Sequence, residues 1–519
     1  MKPSFFLSAC CLLFLTASAQ PKYEFRAAWI ATVDNIDWPS RGNYNSDSQR
    51  LEFVKMLDMH QRNGLNAVIV QVRPATDAFY PSPYEPWSQW LTGKQGTPPN
   101  PYYDPLQFMI DETHKRGMEF HAWCNPYRAV FSIKESSISP SHITRIHPEW
   151  FLSYGGTRYF DPGNKEVQQY VVRVIRDIVQ RYDIDAIHFD DYFYPYRIAG
   201  KEFPDDESFA KYGRGQSHED WRRSNVDSII LALSQAIKEE KKFCKFGISP
   251  FGVWRNKDKD PEGSDTKAGQ TNYDDLYADI LLWLKKGWID YVAPQLYWEF
   301  GHRAAPFEVL LNWWNQHSYG RHCYIGLGMF KAGSSPPWRD PSQVPRQIQA
   351  IRSLDKVQGE IYFSGRTFQG NPLGWCDSLQ NNYYRQPALL PPMNWIDSVK
   401  PPAPMLTVKT LTDSSFIINA DYNTSGAPRI KSVVFYRFAA GAEINTDAQK
   451  NIYSVNVIDD HSAQRPDIIG TIIFDESFMQ SKSQLVFGAT AVGEHNNESG
   501  LSNIIRLEKN AEGRWHLVN

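Results

Sequence analysis

Cysteine is scarce in this chain of 519 residues: six in all, two of which, Cys10 and Cys11, fall inside an N-terminal apolar run. The other four, Cys124, Cys244, Cys323 and Cys376, are widely scattered. With no C-x-x-C pair and no histidine at ligand spacing, they do not make a zinc site. Buried thiols with at most one bridge fit this usage better than a disulfide framework. A basic excess is missing too. Fifty-five Lys and Arg face 58 Asp and Glu, a net charge of -3, which leaves no electrostatic footprint for a phosphate backbone and disfavours nucleic acid as a partner. No glycine-rich phosphate loop follows the first predicted strand, against a dinucleotide-binding open sheet. The N-terminal apolar run, Phe5 to Leu15, is too short to span a bilayer as a helix.

That run has another use. Lys2 gives a positive start, Phe5–Leu15 a short apolar stretch, and Ala17-Ser18-Ala19 a small-residue cleavage site before Gln20, so residues 1–19 read as a signal peptide. The mature chain then carries 54 basic and 58 acidic residues and is directed to the periplasm or cell envelope. Leu7-Ser-Ala-Cys10 also resembles a lipobox, but it sits within the apolar run. Simple secretion therefore fits better than a lipid anchor at Cys10, the one route by which a membrane would become a partner.

Aromatics are what the chain has in plenty: 17 Trp, 27 Tyr and 29 Phe, 14% of all residues. Cores seldom absorb so many large rings, so some are expected at a surface. From Glu24 to about Leu390 short β-branched runs alternate with amphipathic helical stretches. The predicted strands are Arg26–Val33, Ala67–Arg73, Phe120–Asn125, Ala186–Asp190, Phe246–Pro250, Tyr291–Tyr297, Tyr324–Gly328 and Glu360–Ser364. Between them the clearest helix runs from Val167 to Tyr182, with apolar residues at i, i+3 and i+4. Ser48–Arg62, Tyr103–Arg116, Ser224–Glu240, Tyr273–Lys285 and Val344–Val357 behave similarly. Eight such units point to a (β/α)8 TIM barrel over residues 20–390, with an open doubly wound sheet as the alternative.

Prolines at Leu389-Leu-Pro-Pro392 and Lys400-Pro-Pro-Ala-Pro404 mark residues 391–404 as a stiff linker. Residues 405–519 then read as a small all-β sandwich, with strands over Ser415–Ala420, Ser432–Phe438, Ile468–Phe474, Leu485–Val492 and Asn503–Leu507. The stretch from Phe487 to Asn503 resembles the closing hairpin of fibronectin type III domains, with Phe487 where a corner tyrosine often stands. A spacer or a packing partner for the barrel is its expected role.

Barrel chemistry sits at the C-terminal strand ends. The densest of these is Asp185-Ala-Ile-His188-Phe-Asp190-Asp191-Tyr192-Phe-Tyr194-Pro-Tyr196. Period two turns Ile187 and Phe189 toward the helices and His188 and Asp190 toward the barrel axis. Adjacent carboxylates at one mouth raise each other's proton affinity, which suits an acid or a nucleophile; a helix cap or a calcium ligand is the plainer reading of the same aspartates. On the sixth strand, Gln295, Tyr297 and Glu299 share one face beside Trp298. A glutamate among rings loses hydration and gains a raised pKa, as a general acid needs, although Glu299 reads equally as an exposed loop carboxylate. Two carboxylates across a mouth are what glycosidic cleavage requires, without metal or organic cofactor; retention and inversion both remain open. Arg73 with Gln71, Asp77, Trp123, Asn125, and Tyr127 with Arg128 supply donors, acceptors and flat rings suited to a sugar. Arg73 has the alternative of a structural ion pair.

Four stretches carry a family resemblance: Phe25-Arg-Ala-Ala-Trp29-Ile-Ala, Tyr159-Phe-Asp-Pro-Gly163, His188-Phe-Asp-Asp-Tyr-Phe-Tyr-Pro195 and Ala293-Pro-Gln-Leu-Tyr-Trp298. Together, over roughly residues 24–390, the chain resembles glycosyl-hydrolase-like family 10, a group of exported barrel proteins of bacterial envelopes. The resemblance implies a (β/α)8 fold and glycoside hydrolase activity, with peptidoglycan glycan strands lacking stem peptides as the substrate class. It carries over Asp190 or Asp191 as a catalytic residue, while Glu299 rests on position alone. The candidate site is thus Asp190, Asp191 and Glu299 for chemistry, with Arg73, Asp77, Trp123, Asn125, His188, Tyr192, Tyr194, Gln295, Tyr297 and Trp298 holding the glycan. A non-catalytic glycan-binding protein and a hydrolase of another polysaccharide are the alternatives. The polar segment Ala199–Glu219 is expected to form a loop over the groove.

Overall fold

The computed structural model describes residues 20–518 apart from 413–414, 423–427, 459–467 and 475–481. The predicted signal peptide, with Cys10, lies outside the described residues. Eight parallel strands close into a barrel: β1 (Phe25–Ile30), β2 (Ala67–Arg73), β3 (Glu119–Cys124), β4 (Ala186–Phe189), β5 (Lys245–Ile248), β6 (Tyr291–Val292), β7 (His322–Leu327) and β8 (Gly359–Tyr362). Each pairs with its neighbours in chain order, and β8 returns to β1 with Phe25 opposite Gly359. The strand positions follow the sequence reading closely, except that β6 has only two ladder residues where seven were expected.

The main helices around the barrel are α1 (Ser46–Arg62), α2 (Pro105–His114), α3 (Lys165–Arg181), α4 (His218–Glu240), α5 (Ile280–Lys286), α6 (Phe307–Gln316) and α7 (Gln343–Arg352). Asn164 caps α3 by accepting from the Glu166 amide at 2.9 Å. Its apolar stripe, Val167, Tyr170, Val171, Val174, Ile175, Ile178 and Val179, is buried against the strands, each aliphatic side chain contributing roughly 1.5–3 kcal/mol. The predicted helix over Tyr273–Lys285 breaks into Asn272–Asp275 and α5. Asp279 between them turns to cap α5 through the Leu282 amide at 3.2 Å. Four buried free thiols, Cys124, Cys244, Cys323 and Cys376, replace any bridge among the described residues.

The barrel interior is partly polar. Gly247 on β5 leaves room for Tyr291 on β6, because a Cβ there would overlap the phenol ring. Tyr291 occupies the axis between two buried histidines, its hydroxyl 2.9 Å from His188 Nδ1 and 2.8 Å from His121 Nδ1. At the floor, His121 Nε2 lies 3.1 Å from Glu119, which also pairs with Lys245.

The C-terminal part is two facing antiparallel sheets. The first holds β9 (Met405–Thr412), β10 (Ser415–Asp421) and β13 (Ile468–Phe474); the second holds β12 (Ile452–Val457), β11 (Ile430–Phe438), β14 (Gln484–Gly493), β15 (Ile505–Lys509) and β16 (Trp515–Val518), in that order. Phe416, Ile418, Val433, Phe435 and Phe487 form the core between them. Three strands were not anticipated, β9, β12 and β16, each at the edge of its sheet.

The sandwich packs on the floor of the barrel. Asn496 Nδ2 donates to Glu119 at 2.9 Å, and Lys431 stands 3.8 Å from the same carboxylate. Glu498 pairs with Lys22 at 2.7 Å and accepts from the hydroxyls of Tyr23 and Tyr436. The proline-rich segment lies against this floor as well, with Leu390 and Met393 in the axial apolar cluster and Trp395 donating to Asp290 at 3.0 Å.

Candidate active site

A cavity of about 290 Å³ opens at the C-terminal mouth, and every barrel strand or the loop after it contributes to its wall. Trp29, Ala31, Val33 and Ile36 come from the first unit, Gln71 from the second, and Trp123, Arg128 and Phe131 from the third. The fourth gives Asp190, Asp191, Tyr192 and Tyr196; the others give Ser249, Gln295 with Tyr297, Phe330 and Phe363.

Asp190 and Asp191 are each 3% exposed, yet they are held differently. Asp190 accepts from Trp123 Nε1 at 3.0 Å and from Asn125 Nδ2 at 3.0 and 3.1 Å. Burial raises its carboxyl above the ordinary range, while Arg128, Asn125 and Trp123 pull against that rise. Asp191 accepts from the Tyr196 hydroxyl, and among the described residues no cation is paired with it. Burial first, then the Asp190 charge, push it to about 7. Burial thus raises both carboxyls, but only Asp190 has a cation and two side-chain donors pulling the other way, surroundings that favour its charged form more than those of Asp191 do.

Asn125 organises both sides of this corner. Its Oδ1 accepts from the Arg128 amide at 2.7 Å and the Tyr127 amide at 3.2 Å, while its Nδ2 serves Asp190. The Arg128 guanidinium stacks 4.4 Å from the Tyr192 ring centroid. Gln71 Oε1 accepts from the Thr32 and Val33 amides at 3.2 and 2.9 Å, and its buried Nε2 has no partner among the described residues. Gln295 donates to the Ser249 carbonyl at 2.9 Å, and Tyr297 packs edge-on to Phe330 with centroids 5.5 Å apart.

His188 lies beneath the cavity. Trp29 Nε1, which can only donate, points at His188 Nε2 over 3.1 Å. His188 therefore accepts there and donates from Nδ1 to Tyr291, which in turn donates to His121 Nδ1; His121 Nε2–H then points at Glu119. Burial pushes both imidazoles below their ordinary pKa, so both are neutral, and every donor in the chain from mouth to floor has an acceptor. Ser249 Oγ also approaches His188 Nε2 at 2.9 Å.

Of the thirteen residues selected from sequence, Asp190, Asp191, Trp123, Tyr192, Gln295 and Tyr297 line the cavity, and Asn125 and His188 support it from below. Five stand elsewhere. The register of β2 shifts between Gln71 and Arg73, so Arg73 leaves the axis and forms a bidentate, fully buried ion pair with Glu85, Nε to Oε2 at 2.8 Å. Asp77 holds its own loop, accepting from Gln95 at 3.2 Å and from the Ala75 amide at 3.3 Å. Tyr194 is buried against Tyr277 and Phe203. Trp298 packs edge-on to Phe251, 5.4 Å between centroids. Glu299 is outside the cavity wall and accepts from Trp338 Nε1 at 3.1 Å. Alternation holds through Gln295, which still bridges Phe251 and Gly326, and through Tyr297, but fails at Glu299, where the chain runs into the turn at Phe300 and Gly301.

The 199–219 segment also differs from its expectation. It contains a helix over Asp206–Tyr212, and Asp205 pairs with Arg222 at 2.6 Å on α4 while Phe203 packs on Tyr154. These contacts draw it onto the barrel wall, and none of its residues lines the cavity. Sequence reasoning missed the wall residues Ile36, Phe131, Tyr196, Phe330 and Phe363; Tyr196 stands at the end of the fourth-strand stretch, and Phe330 and Phe363 follow strands already identified. Among the described residues no group of three or more His, Cys, Asp or Glu side chains is arranged to hold a metal ion.

Residues 24–341 match the family model described as glycosyl hydrolase-like 10. Glycosyl hydrolase YngK of Bacillus subtilis (strain 168) is 50% identical over 401 residues, covering 76% of this chain and 78% of that protein. Glycosyl hydrolase DigH of Escherichia coli (strain K12) is 39% identical over 372 residues, 67% of this chain and 83% of that one. Among solved structures, the PgaB (BpsB) glycoside hydrolase domain from Bordetella bronchiseptica has a TM-score of 0.41 at 12% identity, covering 70% of this chain and 99% of that chain.

Proposed function

The chain belongs to the glycosyl hydrolase-like 10 family, and from that membership and the mouth geometry we propose that it is an exported glycoside hydrolase of a cell-envelope glycan. Peptidoglycan strands lacking stem peptides are the proposed substrate class. The single observation that carries the catalytic reading is the Asp190–Asp191 pair, buried at the mouth with Asp191 pushed to about 7.

In this reading Asp190 is the ionised partner. Trp123 and Asn125 fix its oxygens, and its charge stabilises, or bonds to, the anomeric carbon as the glycosidic bond breaks. Asp191 is the acid. A carboxyl near 7 still carries its proton in a large share of molecules at neutral pH and gives it to the leaving oxygen, a contribution of about 10²–10⁴ in rate. The role that sequence position suggested for Glu299 passes to Asp191, since Glu299 faces Trp338 and not the cavity. Trp29, Trp123, Tyr192 and Tyr297 offer flat faces for pyranose rings, and the unpartnered Gln71 Nε2 offers a donor to a hydroxyl. Export rests on the signal peptide, and we assign the C-terminal sandwich to the fibronectin type III-like folds.

The test is to incubate the purified protein with peptidoglycan stripped of stem peptides, and with a panel of other polysaccharides, and to measure new reducing ends. Cleavage of the stripped glycan, lost in Asp190→Asn while glycan binding persists, is the expected result. Cleavage of another polymer alone would move the substrate class. Binding without turnover on every polymer would replace the hydrolase with a glycan-binding protein.

A further inference from the structure

Arg73 closes β2 and Arg128 follows β3 at the mouth, and they are employed in opposite ways. Arg73 spends its guanidinium on the protein: Glu85 takes Nε and Nη2, and the carbonyls of Asn125 and Pro126 take Nη1. Arg128 is 7% exposed and lies in the cavity wall, yet among the described residues its guanidinium makes no ion pair and no hydrogen bond. It is nonetheless fixed in place. The ring centroids of Tyr192 and Phe131 lie 4.4 and 5.7 Å from the guanidinium carbon, and its backbone is pinned by Asn125 Oδ1 at the amide and by Thr76 Oγ1 at the carbonyl, 2.7 and 2.9 Å. Stacking takes up the flat face of a guanidinium and leaves its N–H edge free, the edge that matches a carboxylate with two parallel bonds. A nearly buried cation held rigid with its donors unused is set up for an acceptor that arrives with the ligand.

We propose that Arg128 is a specificity-determining residue that reads a carboxylate on the bound sugar; on the envelope-glycan reading above, on which this rests, that group is the free lactyl carboxylate of a muramic acid residue. The chemistry explains a preference for strands without stem peptides. A stem peptide converts the lactyl carboxylate into an amide, which removes the charge and one acceptor and adds bulk where Arg128 stands between Tyr192 and Phe131. The same neighbourhood ties recognition to catalysis, since Asn125 positions both Arg128 and Asp190.

The experiment measures binding by calorimetry in the Asp191→Asn protein, with a muramic acid-containing oligosaccharide and with the same oligosaccharide after its lactyl carboxyl has been converted to the simple amide. The acid is expected to bind about 10- to 100-fold more tightly than the amide. Adding Arg128→Gln should bring the acid down to the level of the amide and leave the amide unchanged, with Arg128→Lys between, because it keeps the charge without the fork. Equal binding of acid and amide to the Arg128 protein, a comparison that needs no change at Arg128, overturns the proposal. Equal weakening of both by Arg128→Gln overturns it too. If neither muramic ligand binds, the peptidoglycan reading falls, and an oligouronide compared with its methyl ester decides the assignment: preference for the free acid, abolished by Arg128→Gln, sustains it, and no preference or no binding ends it.

Discussion

Replacing Asp191 by asparagine separates what this carboxyl does for chemistry from what it does to the fold. In the folded chain its pKa stands at about 7 against an ordinary 3.8, from burial and from the charge of Asp190. A rise of that size corresponds to about 4 kcal/mol between the two protonation states. The folded protein keeps a proton that the unfolded chain releases above pH 3.8, so the stabilisation is complete below that pH and is lost as pH climbs through about 7. Asparagine has nearly the same shape and an oxygen for the Tyr196 hydroxyl, but no proton to lose. The two proteins are therefore expected to unfold at similar urea concentrations at pH 4. At pH 8 the variant should lead by up to about 4 kcal/mol. Its cleavage rate should meanwhile be about 10²–10⁴-fold below that of the parent, and the parent's own rate should fall as pH rises past about 7. Urea titrations followed by tryptophan fluorescence at pH 4, 6 and 8 read the first effect, and reducing-end assays the second. A stability gap that does not widen with pH, or a variant weaker than the parent at pH 8, would refute the reasoning.

Other perturbations address the interior and the floor. Tyr291→Phe removes the hydroxyl between His188 and His121 and leaves two buried ring nitrogens without partners, an expected loss of about 2–5 kcal/mol in urea unfolding; a change under about 0.5 kcal/mol would mean the axial chain contributes nothing. Ending the chain after residue 404 strips Asn496 and Lys431 from Glu119 and uncovers Leu389 and Tyr23, which pack with Val434 and Tyr436. The shortened protein is expected to melt at lower temperature and to aggregate, and an equally soluble, equally stable barrel would restore the sandwich to a mere spacer.

Much of this molecule is readable from local pattern. The strands of the barrel declare themselves as short apolar runs, and period two correctly turns Ile187 and Phe189 to the helices and His188 to the axis because β4 is regular. Where regularity stops, so does the reading. One register shift in β2 sends Arg73 to Glu85, and past the Gln295 bridges of the sixth unit no pairing carries parity on to Glu299. Arg128 was visible as a residue beyond the third strand, but its significance is an absence of partners, which only three-dimensional packing reveals. The docking of the sandwich is equally hidden: Asn496 reaches Glu119 across 377 positions of chain, and a polar residue in a sandwich loop carries no local mark of the carboxylate it will meet.

Two buried carboxylates at opposite ends of one barrel meet opposite surroundings. Burial acts to raise Glu119 as it does Asp191. At Glu119, however, Lys245, His121 and Lys431 overrule it and hold the group well below the carboxylate range. The floor is thus electrostatically satisfied: charge meets charge, and Asn496 from the sandwich fills a remaining position on the same oxygen that pairs with Lys245. Asp191 receives a phenol and a second carboxylate in place of a cation, and Arg128, the one cation among the described residues of the cavity wall, feels the Asp190 charge but makes no direct bond to it, so its N–H edge stays unused. A fold selected for stability alone would pair these groups or replace them by apolar ones. Both imbalances lie on one wall of one cavity, joined through Asn125. An anionic ligand with a bond to protonate would resolve them together, satisfying Arg128 with its charge and Asp191 with its leaving oxygen.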